Sequence, residues 1–129
     1  DIVEAVPVIN YDSLAQVSIK EGMALVEQAD TFMTNHEEDK FDGKYNKVEN
    51  IYLSALNKFD QALVNKDSLS TSVSNEAATQ ISAIKGKLLD IYKELVEGAQ
   101  YVPEWKERAD AIQPTIVDLL ETTNDNNNE

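Results

Sequence analysis

The stretch Ser72-Val-Ser-Asn-Glu-Ala-Ala-Thr-Gln-Ile-Ser-Ala-Ile-Lys-Gly-Lys-Leu-Leu-Asp-Ile-Tyr-Lys-Glu-Leu-Val-Glu-Gly-Ala-Gln-Tyr101 decides the fold class. Its apolar residues Val73, Ala77, Ile81, Ile84, Leu88, Ile91, Leu95 and Ala99, followed by Val102, recur at steps of three and four over four heptads. That period puts them on one stripe of an α-helix about 45 Å long. A stripe so long and so regular needs other helices to cover it. The hydroxyls of Ser70 to Ser74 supply capping groups at its start.

The same periodicity extends to both sides. A second segment, about Lys44 to Asn65, carries Tyr45, Val48, Tyr52, Ala55, Leu56, Phe59, Ala62 and Leu63 on one face, with Gly43 as a turn residue before it. A first segment, about Asp12 to Asn35, aligns Leu14, Val17, Leu25, Ala29, Phe32 and Met33, with Asp12 or Ser13 as N-cap. Gly22 lies inside it and lowers helix propensity by about 1 kcal/mol. A fourth segment, about Glu104 to Glu121, places Trp105, Ala109, Ile112, Ile116 and Leu119 in register after Pro103, which suits a first helical turn. Pro114 has no N–H to donate and is expected to kink this segment or split it.

No window alternates at period two, and no hairpin turn signal occurs. The expected fold is therefore all-α, an antiparallel three- to four-helix bundle in one domain over residues 12–121. Residues 1–11 read as an extended arm, because Pro7 forbids a helix there and drives Val6 toward extended backbone. Residues 122–129 read as a disordered tail, being wholly without apolar side chains.

Composition narrows the function classes. The 129 residues carry 24 acidic and 11 basic side chains, for a net charge of −13, and no cysteine. A duplex or an anionic bilayer is bound by clustered Lys and Arg, so neither nucleic acid nor membrane is the expected partner. No run of apolar residues is long enough to insert in a bilayer. Without cysteine there is no disulfide, no thiolate nucleophile and no thiolate zinc site.

The charge is also uneven. Residues 40–66 hold five Lys against three acids, whereas residues 94–129 hold nine acids against Lys106 and Arg108. The negative excess thus falls in the C-terminal third, and a basic protein or peptide is the partner it would favour. Asp90, Glu94 and Glu97 form the expected polar rim of such a binding face. Tyr101 and Trp105, two large aromatics flanking a helix junction, are its expected anchors, or else simply pack the turn.

Other chemistries find little to work with. His36 is the single histidine, set beside Glu37, Glu38 and Asp39 rather than in an i, i+4 histidine pair, so no zinc site is expected. The stretch from Glu38 to Glu49 has EF-hand spacing, with Gly43 at loop position six and Glu49 at position twelve. Lys40 and Lys44 stand at ligand positions, however, and argue against a calcium site. No nucleophile elbow, no phosphate-cradling glycine loop and no Glu-x-x-His motif occurs. The expectation is a non-enzymatic protein with no cofactor and no metal.

Two resemblances bear on this reading. Gly43-x-Tyr45-x-x-Val48-x-x-x-Tyr52-x-x-Ala55-Leu56 resembles the second helix of a tetratricopeptide repeat, and equally that of the MIT (microtubule-interacting and trafficking) domains. Val48 departs from the small residue usual in both. A repeat array needs several copies and only one is present, so a solenoid is excluded. The MIT resemblance covers residues 12–101 and implies a three-helix unit with a groove beside the third helix that takes tail peptides of membrane-remodelling polymers. The longer connection before residue 44, the overshooting third segment and the added fourth one depart from that pattern. Separately, Pro7-Val-Ile-Asn-Tyr-Asp-Ser-Leu-Ala-Gln16 looks like the mature start of minor pilus subunits of conjugation-type secretion systems. That likeness implies a secreted or periplasmic structural or assembly subunit, and a start at Asp1 rather than Met fits it.

Overall fold

In the computed structural model, residues 9–35 and 44–127 are described, the side chains of Lys44 and of residues 122–127 excepted. Four α-helices follow one another: α1 (Tyr11–Asn35), α2 (Lys44–Ala62), α3 (Thr71–Gly98) and α4 (Glu104–Asn127), with a short 3-10 turn at Lys66–Ser68. No strand occurs among the described residues.

The helix starts follow local chemistry. Asn10 caps α1, its side-chain carbonyl accepting from the Ser13 N–H at 3.0 Å. The cap therefore precedes both Asp12 and Ser13. Asp12 turns away and accepts instead from the Ser70 N–H at 2.9 Å, tying the start of α1 to the start of α3. Ser70 caps α3 by accepting from the Val73 N–H. Pro114 does not split α4, which continues as one helix through it. Tyr11 is helical, so less of the chain is arm than expected; residues 1–8 lie outside the described part. Six residues of the expected tail, Thr122 to Asn127, have helical backbone as well.

The core is assembled on α2. Its stripe Tyr45, Val48, Tyr52, Ala55, Phe59 and Ala62 is buried as the spacing predicts. From α3 come Val73, Ala77, Ile81, Ile84, Leu88, Ile91 and Leu95, and also Leu89 and Tyr92, which widen the buried stripe. Burying one such side chain contributes about 1.5–3 kcal/mol. The α4 helix gives less, with Ala109 and Leu119 buried and Trp105, Ile112 and Ile116 half-buried.

In α1 the expected face is buried in part: Ala29 is buried and Leu25, Phe32 and Met33 pack against the core, but the first turns differ. Leu14 and Val17 are 59% and 56% exposed, and the buried residues are Ala15, Ile19, Gly22 and Ala29. The reason lies in packing distance. Bringing α1 close to α2 requires small residues at the contact. At Gly22 a Cβ would stand 2.5–2.9 Å from three ring atoms of Phe59. The glycine is a socket for the Phe59 ring, not a flaw in the helix.

Specific contacts set the order of the helices. Between α1 and α2, Glu21 pairs with Lys58 at 3.2 Å and Asp30 with Tyr52 at 2.6 Å. Between α2 and α3, Tyr45 meets Glu94 and Glu49 meets Tyr92. In both interfaces the residue number falls along one helix as it rises along the other. Between α1 and α3 the partners keep a constant separation, 58 residues for Asp12 and Ser70 and 57 for Asp30 and Lys87. These two helices therefore ascend side by side, both leaning on α2. The α4 helix packs chiefly on α3.

Candidate functional site

Three of the polar links between helices are built to one pattern. Three tyrosines, each at most 5% exposed, donate their phenolic proton to a carboxylate on another helix. Tyr45 of α2 donates to Glu94 of α3 at 2.6 Å, Tyr52 of α2 to Asp30 of α1 at 2.6 Å, and Tyr92 of α3 to Glu49 of α2 at 2.5 Å. Two of the carboxylates also hold a cation: Asp30 takes the Lys87 ammonium at 3.1 Å, and Glu49 takes the Arg108 guanidinium at 2.9 Å. Asp30 thus links α1, α2 and α3, while Glu49 links α2, α3 and α4. Burial, reinforced by the carboxylate that accepts its proton, pushes each of the three phenols well above its ordinary pKa of 10. Near neutral pH all three remain donors.

This network underlies a hollow of the surface. Asp30, Met33 and Thr34 of α1, Tyr52 of α2, and Lys87, Asp90, Ile91 and Glu94 of α3 enclose a cleft of about 310 Å³. Its inner wall is the Tyr52–Asp30–Lys87 cluster. Asp90 stands exposed at its edge, with no hydrogen bond or ion pair among the described residues. A second and larger hollow, about 680 Å³, continues along α1 past Lys20, Met23, Ala24, Val26, Glu27 and Thr31, with Gln80 on the α3 side. The two hollows are neighbours that share Asp30 and Thr34, but α1 supplies all of the larger one's lining except Gln80, so the trough between α1 and α3 is the smaller cleft.

Of the residues expected at a site, Asp90 and Glu94 are brought together in this trough, with Ile91 between them. Glu97, one turn further along α3, is exposed and does not line it. Tyr101 is 80% exposed at the α3–α4 turn. Trp105 is half-buried and packs inward: its ring meets Tyr45 edge to face, with centroids 5.6 Å apart, and lies flat where a side chain at Gly98 would stand. Tyr101 and Trp105 therefore do not form one aromatic pair facing solvent.

Sequence reading missed Asp30, Met33, Thr34 and Lys87 as parts of the same place. The spacing places Met33 on the apolar face of α1, but the meeting of Asp30 with Lys87 depends on a helix pairing that periodicity does not specify. Among the described residues no group of three or more His, Asp or Glu is placed to hold a metal ion, and no helix is long and apolar enough to cross a membrane. His36 and most of the EF-hand-spaced stretch lie outside the described residues. In comparisons with protein-family models, characterised proteins and solved structures, the chain matches none.

Proposed function

We propose that this chain is a non-enzymatic interaction module, an antiparallel helical bundle that receives a partner protein or peptide in the groove between α1 and α3. The observation that carries this reading is the cleft at Asp90 and Glu94. There, two exposed carboxylates one turn apart on α3 line the same cleft as half-buried Met33 and the Tyr52–Asp30–Lys87 cluster. A small apolar contact rimmed by charge is ordinary anatomy for an interface. The rim is acidic on a chain of net charge −13, which favours a basic partner and disfavours nucleic acid. The MIT-like and tetratricopeptide-like spacing of α2 is in keeping with the same role.

The test is site-specific photo-crosslinking in extracts of the cells that make the protein. A photoreactive residue at position 90 should capture one discrete partner, while the same residue at position 64, just past the end of α2, should not. Equal capture from both positions, or none from position 90, rejects the reading.

A second reading, a secreted or periplasmic assembly subunit that packs on its neighbours through its N-terminal arm, is favoured by one observation. Ile9, Leu14 and Val17 all expose more than half of their surface where the chain enters α1. Deleting residues 1–10 should then abolish assembly and leave helicity intact.

A further inference from the structure

We infer that α4 is a hinged latch on the outer flank of α3: it opens while α1, α2 and α3 stay folded, and its release uncovers an apolar face that includes Leu89 and Tyr92. This device lies on the other side of α3 from the Asp90 cleft and does not depend on the interaction-module reading.

The innermost core is built without α4. The largest side chains sealed from solvent, Phe59, Ile19, Ile84, Leu88, Leu95 and Val48, all come from the first three helices. Among its described side chains, α4 buries only Ala109 and Leu119. An element with so few buried apolar contacts opens at a lower free energy than the whole fold.

The covered flank is fixed by α3. Leu89 and Tyr92 lie roughly half a turn round that helix from Lys87, which pairs with Asp30 of α1. Tyr92 donates to Glu49, and the same carboxylate takes Arg108 of α4. The α4 helix therefore packs on the flank away from α1, where Leu89 and Tyr92 are buried.

Two catches hold α4 close to its turn. Trp105 sits against Gly98, where a Cβ would meet its ring, and edge-on to Tyr45 with centroids 5.6 Å apart. Arg108 crosses to Glu49 of α2 at 2.9 Å. When Arg108 withdraws, Glu49 keeps the Tyr92 hydroxyl as a donor, so opening does not strand that carboxylate. The reversal at residues 99–103 uses no positive φ, and it can straighten through ordinary backbone conformations.

The far half is tied less firmly. Pro114 has no N–H to give the Asp110 carbonyl, and Thr115, Ile116 and Val117 after it are β-branched, with modest helix propensity. Beyond Pro114 only Leu119 is buried among the described side chains, while Val117 and Leu120 are exposed. A helix divided in this way is too short in either half to persist in water without a surface to pack on. Release therefore melts α4, from its free end back toward Trp105.

The test is native-state hydrogen exchange on the full 129-residue chain, followed residue by residue at rising, sub-denaturing urea. Protection of residues 106–121 should be at least about 100-fold lower than that of residues 48–59 in α2. The α4 opening should also depend less on urea, because it exposes less surface. Exchange should be quickest beyond Pro114. R108Q should lower protection in α4 about 10-fold and leave α2 unchanged.

Uncovering of the α3 face is followed separately. The chain has no cysteine, so a thiol introduced by L89C reports alone. It should react with a thiol reagent in proportion to α4 opening, whereas one introduced by I84C, in the core, should react only with global unfolding.

One opening shared by α2 and α4, with the same urea dependence, overturns the latch. So does an R108Q variant in which all helices lose protection together, or an L89C thiol that waits for global unfolding. Exchange quickest at the Trp105 end overturns the placing of the catches there. If the cysteine variants fail to fold, the exchange profile of the unaltered chain decides alone.

Discussion

The carboxylate of Asp30 accepts the phenolic proton of Tyr52 at 2.6 Å and, on its other side, holds the ammonium of Lys87 at 3.1 Å. One short side chain thereby fixes the relative position of three helices and forms the inner wall of the trough. Asp30 is about half exposed, whereas the Tyr52 ring is buried, so the two ends of the hydrogen bond differ in what their loss would cost.

Replacing Asp30 with Ala leaves a buried phenol without its acceptor, at a cost of about 1–3 kcal/mol. Asp30→Asn keeps an acceptor and should cost less. With Tyr52→Phe already in place, Asp30→Ala should cost less again, because the phenol is gone. Urea unfolding of the four proteins of this cycle measures the coupling. A coupling near zero would mean that the 2.6 Å contact contributes nothing to stability.

The three buried phenols make stability sensitive to alkali. Each has a folded-state pKa above the ordinary value of 10, so its contribution is complete below pH 10. Above that pH the unfolded chain releases phenolic protons that the folded chain retains, and stability declines as pH rises. Urea midpoints should therefore be level from pH 8 to about pH 9.5 and drop steeply beyond. Simultaneous phenolate absorbance and circular dichroism check the cause. If all five tyrosines ionise while helicity is intact, burial of the three is not what protects them.

Two glycines inside helices should respond oppositely to alanine. Around Gly86 nothing lies within 4 Å of an added Cβ, so Gly86→Ala should stabilise by up to about 1 kcal/mol through helix propensity. At Gly22 the same gain is opposed by the Phe59 ring, whose atoms would stand 2.5–2.9 Å away. Overpacking of that kind costs about 1–3 kcal/mol, so Gly22→Ala should be net destabilising. Thermal melts of the two variants decide it, and a stabilised Gly22→Ala would show that α1 is free to move off α2.

Gly98 plays the corresponding part for α4. A Cβ there would meet the Trp105 ring at 2.5 and 2.8 Å, so Gly98→Ala should push the indole off α3. Trp105 is the single tryptophan, and its emission should shift to the red as the ring gains water. Hydrogen exchange should quicken in α4 while α2 keeps its protection. Unchanged emission would show that the ring is not seated against that glycine.

How much of this was legible in the sequence depended on the size of the residues involved. In α2 and α3 the bulky residues themselves do the packing, and Phe59, Ile84 and Leu88 are buried where the three-four spacing puts them. The α1 helix misled in its first turns, where Ile19 packs together with small residues. Ala15 and Gly22 carry little hydrophobic signal, while the larger Leu14 and Val17, which carry more, face outward. Asp90 and Glu94 were found through charge and their position on α3. The rest of the trough was hidden, since a helical period says which residues share a face but not which face of another helix they meet. Tyr45, Tyr52 and Tyr92 read as apolar packing residues, and their carboxylate acceptors, 22 to 49 residues away in the chain, have no local signature.

The order in which the helices touch is also the order in which they are made: α1 packs on α2, α2 on α3, and α3 on α4. On leaving the ribosome α2 therefore finds α1 already synthesised, and α3 finds α2, while the Asp30–Lys87 and Glu49–Arg108 pairs close once α3 and α4 follow. The first hairpin can close on the Gly22–Phe59 contact while α3 is still being translated, and α3 then covers the apolar stripe that α2 has left open. With most docking steps between neighbours in sequence, the exposed core is short-lived at every stage of synthesis, and folding should be fast.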